Sequence, residues 1–162
     1  LAHRQGSMDF GDLNWERDYS RWGAYGRSKL ANLMFTFELD RRLRARETEA
    51  MALACHPGYS ATNLQTSGPS GGLLGKLLVP AMAVANVFVA QSDEQGALPT
   101  LYAATSPDAV GSDFIGPDGI KQMRGHPTKV GCSSGSRDEA KQRQLWDRSV
   151  EMTEVDFAPL EP

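Results

Sequence analysis

Apolar residues change their period several times along this chain, and each change marks an element. Leu30, Leu33, Met34, Phe37 and, further on, Leu43 fall on one stripe of a 3.6-residue repeat, which predicts a long helix from about Arg21 to Arg46. Past Phe37 the pattern turns to Glu38, Asp40, Arg41, Arg42, Arg44 and Arg46. We read these as a solvated far end, its cations crowded where the helix dipole favours them. Met51 to Cys55 is a continuous apolar run closed by Pro57 and Gly58, as expected of a buried parallel strand. Before the helix, Phe10, Leu13, Trp15 and Tyr19 keep no period among Gly, Asp and Asn, so residues 1–20 read as a loop whose aromatics must pack on something else.

Downstream, Gln65 to Gly75 is rich in Ser, Gly and Pro and predicts a mobile connection. Leu77 to Ala90 is strongly apolar around Pro80 and Asn86. Its length suits a core helix or a lid over an apolar substrate and falls short of the ~20 residues that span a bilayer. A peripheral membrane contact would lack a basic amphipathic face. Ser92 to Ser106 predicts a helix with acidic residues in its first turn and a tolerable Pro99. Gly111 to Gly119 predicts a strand and a turn, and Ser136 to Met152 a last helix carrying Leu145 and Trp146. Helix followed by buried strand is half of a βαβ crossover, so the class is α/β, helix-rich, with good strands near 51–55 and 112–115. No repeat and no second domain are visible.

Composition narrows the chemistry. With 162 residues, a net charge of -3 and a pI near 5.6, nothing favours nucleic acid. Cys55 and Cys132 lack a C-x-x-C spacing and read as reduced thiols of a cytoplasmic-type protein. His3, His56, His126 and the two cysteines show no metal-ligand spacing. The opening, Leu-Ala-His-Arg-Gln-Gly, has neither Met nor a signal-peptide core, and we expect a piece of a longer chain.

The candidate chemistry sits at the head of the long helix, where Tyr25 and Lys29 lie four residues apart and therefore on one face. A nearby cation favours the ionised form of a phenol, which suits a general acid or base. The spacing alone also fits an exposed helix pair. Ligands of open α/β sheets bind beyond the carboxyl ends of strands, here the His56 to Thr62 loop. Thr62 could serve a carboxamide there or simply cap a loop.

The run Ala24-Tyr25-Gly26-Arg27-Ser28-Lys29-Leu30-Ala31-Asn32 resembles the active-site helix of the short-chain dehydrogenase/reductases, and its wording is most similar to the retinol-dehydrogenase-like branch. His56-Pro57-Gly58-Tyr59-Ser60-Ala61-Thr62 resembles that family's Pro-Gly-x-x-x-Thr loop. The resemblance implies the C-terminal part of a doubly wound Rossmann-type parallel sheet, with residues 1–162 a single incomplete domain. It implies an NAD or NADP cofactor, Tyr25 as general acid/base, and Lys29 on the cofactor ribose. Pro57, Gly58 and Thr62 would seat the nicotinamide, the substrate would be an apolar alcohol or carbonyl compound, and a homodimer could form through the 21–46 helix. The family's glycine-rich loop and catalytic Ser have no counterpart in this sequence; Ser7 sits too far into the loop to replace that Ser. We therefore expect the chain by itself to be inactive. Two other readings stay open: a non-catalytic remnant that docks on a partner through the apolar stripe, and a serine hydrolase using Ser60, since Gly58-Tyr59-Ser60-Ala61-Thr62 nears a nucleophile elbow with His3, His56 or His126 as base.

Overall fold

The computed structural model describes residues 2–59 and 91–155. In chain order these form α1 (Arg21–Ala45), β1 (Ala54–Cys55), α2 (Asp93–Thr105), β2 (Phe114–Pro117), β3 (Pro127–Lys129) and α3 (Glu139–Thr153), with short 3-10 turns at Ala2–Gln5, Ile120–Gln122 and Ser134–Arg137. The segments expected at 65–75 and 77–90 lie outside the described residues. Two compact units emerge, one from Leu1–Ala54, Asp108–Phe114 and Gly131–Pro162, the other from Cys55–Pro107 and Ile115–Val130.

The first unit is built on α1. Ser20 caps it by accepting the Gly23 amide, and the apolar stripe Leu30, Leu33, Met34 and Phe37 is buried as its spacing required. Leu30 and Met34 meet Leu145 of α3, with Met8, Phe10 and Ala31 packed around them, so the aromatics of the opening loop do find a partner. Phe35 stacks on Trp146 at 5.2 Å, and the Arg42 guanidinium lies 4.4 Å above the same indole. The stripe is thus covered within its own unit.

The charged end of α1 departs from expectation. Glu38 and Asp40 are buried, not solvated. Glu38 pairs with Arg41 and accepts from Arg42 Nε at 2.7 Å. Asp40 pairs with Arg44 at 2.8 Å and accepts from the Ser112 hydroxyl at 2.7 Å and the Ala52 amide at 3.1 Å. A carboxylate taken out of water persists only with such partners. The site is so close that a Cβ on Gly111 would lie 2.0 Å from Asp40 Oδ1. The last helix starts later than Ser136, because Ser134–Arg137 forms a 3-10 turn and Asp138 caps α3 by accepting the Lys141 amide.

Among the described residues the strand order is β1-β2-β3. Ala54 donates to the Asp113 carbonyl and His56 to that of Ile115, each at 2.9 Å, the staggered pattern of a parallel pair. β3 was not expected, and it adds an antiparallel strand beside the parallel pair: Ile115 faces Lys129, Gly116 faces Thr128 and Pro117 faces Pro127. A strand that returns through a tight turn must run antiparallel, and Pro-Thr-Lys carries no apolar alternation to announce it. In the second unit Ser92 caps α2 by accepting the Gln95 amide, and Pro99, the seventh residue of α2, lies inside the helix, where it offers no N–H to the Gln95 carbonyl.

Candidate active site

At the head of α1, Lys29 Nζ lies 5.4 Å from the centroid of the Tyr25 ring, so the two groups share a face one turn apart. Tyr25 is 37% exposed, and Trp22 meets it edge to face at 6.2 Å. The exposed Ser28 hydroxyl donates to the Tyr25 carbonyl at 2.8 Å. The opposite side of this turn is closed: Gly26 is buried, and a Cβ on Gly6 would stand 2.4 Å from the Gly26 carbonyl oxygen. Loop and helix backbones therefore touch at a pair of glycines immediately beside Tyr25.

Arg27 secures that contact. Its Nε donates to the Ser7 carbonyl at 3.0 Å, its Nη1 to the Asp12 carbonyl at 2.6 Å, and its guanidinium lies 3.8 Å over the Trp15 ring. Asp12 in turn accepts the amides of Glu16 and Arg17, and the Glu16 bond above all holds its carboxyl below the ordinary range. Sequence reasoning missed Gly6, Arg27 and Asp12 as positioning residues; a glycine in the loop and an arginine two residues past the phenol were the available signals. A cleft of about 260 Å³ opens alongside, lined by Met8, Trp15, Ala24, Ser28, Ala31 and Leu145 among others, and its lining includes neither Tyr25 nor Lys29.

Pro57 and Gly58 belong to the second unit. Gly58 has φ +71°, and a Cβ there would stand 2.4 Å from the Met123 carbonyl oxygen, so the turn admits only glycine without strain. The Gly58 amide donates to His56 Nδ1 at 3.1 Å and the Tyr59 amide to the Met123 carbonyl at 2.6 Å. Thr62 and Ser60 lie outside the described residues. Of the histidines considered as bases, His3 belongs to the first unit and meets Phe114 edge to face at 5.4 Å; His126 belongs to the second, its amide held by Asp118. Among the described residues no cluster of His, Cys, Asp or Glu could hold a metal ion, and no helix is long and apolar enough to cross a membrane.

No family model matches the sequence. The chain is 35% identical over 158 residues to retinol dehydrogenase 13 of Homo sapiens, an alignment covering 94% of this chain and 43% of that protein. It is 28% identical over 151 residues to the short-chain dehydrogenase/reductase pkfC of Emericella nidulans, covering 92% of this chain and 44% of the relative. The crystal structure of an uncharacterised protein from Mycobacterium paratuberculosis superposes with a TM-score of 0.73 at 39% identity, over 97% of this chain and 48% of that one. The chain thus spans less than half the length of the curated relatives it matches, and the match runs through both the Tyr25 helix and the Pro57-Gly58 loop. Over the part of those proteins that it spans, the chain is similar to the short-chain dehydrogenase/reductase family, in its retinol-dehydrogenase-like branch.

Proposed function

We propose that this chain supplies the proton-transfer helix and the nicotinamide-facing loop of an NAD- or NADP-dependent oxidoreductase that interconverts an apolar alcohol and its carbonyl, as part of a single longer dinucleotide-binding domain. The observation that carries the reading is the placing of the Lys29 ammonium 5.4 Å from the Tyr25 ring, with the phenol partly exposed at the head of a rigid, capped helix.

The residues present fit such a cofactor in two respects. Lys29 is an exposed ammonium with three donors for ribose hydroxyls, and Gly58 offers a turn where no side chain stands between backbone and ligand. When bound, the nicotinamide gives a hydride to the carbonyl carbon or takes one from the carbinol carbon. The chain's own part is the proton. Tyr25 donates its hydroxyl proton to the carbonyl oxygen during reduction and recovers one from the alcohol during oxidation. Lys29 orients the ribose and holds positive charge beside the phenol, while Pro57, Gly58 and Thr62 fix the carboxamide edge.

The test is turnover by the full-length polypeptide with NADPH or NADH and an apolar aldehyde such as retinal, followed at the nicotinamide absorbance. Tyr25→Phe, which keeps the ring and removes the proton, should lower kcat by roughly 10²- to 10⁴-fold. A Tyr25→Phe protein with undiminished turnover would sink the assignment.

A further inference from the structure

Gln91 carries a role that no motif announces. It is 3% exposed, and three hydrogen bonds in the second unit converge on it. Its side-chain Nε2 donates to the Pro57 carbonyl at 2.5 Å, its Oε1 accepts the Gly125 amide at 3.3 Å, and its backbone amide donates to the Tyr59 carbonyl at 3.0 Å. One amide side chain therefore uses both its donor and its acceptor end to join the Pro57–Tyr59 turn to the turn that follows β2. The second turn also reaches the first directly, through the Tyr59 amide on the Met123 carbonyl.

We propose that Gln91 is the positioning residue of the cofactor loop: it holds the Pro57-Gly58 turn in its binding shape before the nicotinamide arrives. This rests on the functional reading above. Gly58 has the widest backbone freedom of any residue, and its left-handed conformation persists only if neighbouring contacts impose it. Two of those contacts, on Pro57 and Tyr59, belong to Gln91 and flank Gly58 on either side. A turn already fixed does not charge its ordering entropy against binding. Only a side chain with a donor and an acceptor on the same terminal group can hold both turns, which a methionine of equal length cannot do and a glutamate can do only at the Gly125 end.

The experiment is a pair of variants in the full-length protein, Gln91→Met and Gln91→Glu, read by NADH and NADPH fluorescence titration and by steady-state kinetics. Gln91→Met should weaken cofactor binding about tenfold, the scale of one buried hydrogen bond. Its kcat at saturating cofactor should stay within about twofold, because Tyr25 and Lys29 are untouched. Gln91→Glu, which keeps only the Gly125 contact and sets a carboxylate against the Pro57 carbonyl, should bind at least as weakly. Cofactor affinity equal to wild type in both variants, or a fall in kcat with affinity unchanged, overturns the proposal. Should the wild type bind neither nucleotide, the functional reading fails on its own account. Amide hydrogen exchange then decides the latch: faster exchange at Gly125 and Tyr59 in Gln91→Met supports it, and unchanged exchange refutes it.

Discussion

Asp40 shows at the scale of one residue how far burial can reverse a sequence pattern. Among five charges in seven positions it reads as part of a solvated face, yet it is fully buried, because the chain brings the Ala52 amide and the Ser112 hydroxyl to its two oxygens. Nothing local to 38–46 encodes that, since both partners come from other segments. The consequence is a stability prediction. Asp40→Ala removes the acceptor from the Ala52 amide, the Ser112 hydroxyl and the Arg44 guanidinium at once, and should cost about 2–3 kcal/mol in urea unfolding with the denaturant slope unchanged. A loss below about 0.5 kcal/mol, the range of an ordinary surface change, would show that the three contacts contribute nothing net. Tyr25 and Lys29 are the contrasting case: their spacing was legible because a helix places residues four apart on one face whatever the rest of the chain does.

Helices are the elements most completely written into the sequence. α1 and α2 begin where a serine precedes the apolar or acidic first turn, and both serines do cap. α3 was placed three residues early, because Ser136 looks as good a start as Asp138 until the chain geometry chooses between them. That choice has a pH signature. The Lys141 amide, helped by the Lys141 ammonium, holds the Asp138 carboxyl below the ordinary carboxylate range, against a smaller opposing effect of burial. Its folded value lies under its unfolded one, so the stabilisation is present above the unfolded value and is lost as pH falls through the folded one. Thermal midpoints should therefore fall on acidification, and Asp138→Asn, which keeps a carbonyl acceptor at the cap but cannot ionise, should flatten that acid limb. An acid limb identical to wild type would assign the loss elsewhere. Asp12 titrates in the same direction, so the variant should remove only part of it.

For the whole molecule, length governs function. The chain covers 43% of retinol dehydrogenase 13, and its sequence contains no G-x-G-x-x-G turn to cradle a pyrophosphate. The isolated 162-residue polypeptide should accordingly show no saturable NADH or NADPH binding in fluorescence titration. Saturable binding in the micromolar range would mean that the contacts of Lys29 and the Pro57–Thr62 loop suffice without a phosphate cradle.

What the sequence determined by itself is whatever depends on residues within a turn or two of each other: the helix periods, their serine caps, and Tyr25 and Lys29 on one face. The tertiary structure decided the rest, namely the burial of Glu38 and Asp40, the meeting of Gly6 with Gly26, the antiparallel β3, and the convergence of two turns on Gln91. The physical reason is range. A helical hydrogen bond closes over four residues and leaves its mark in local composition. The partners of a buried carboxylate or amide come from segments 12 to 72 residues away, and no local pattern records them.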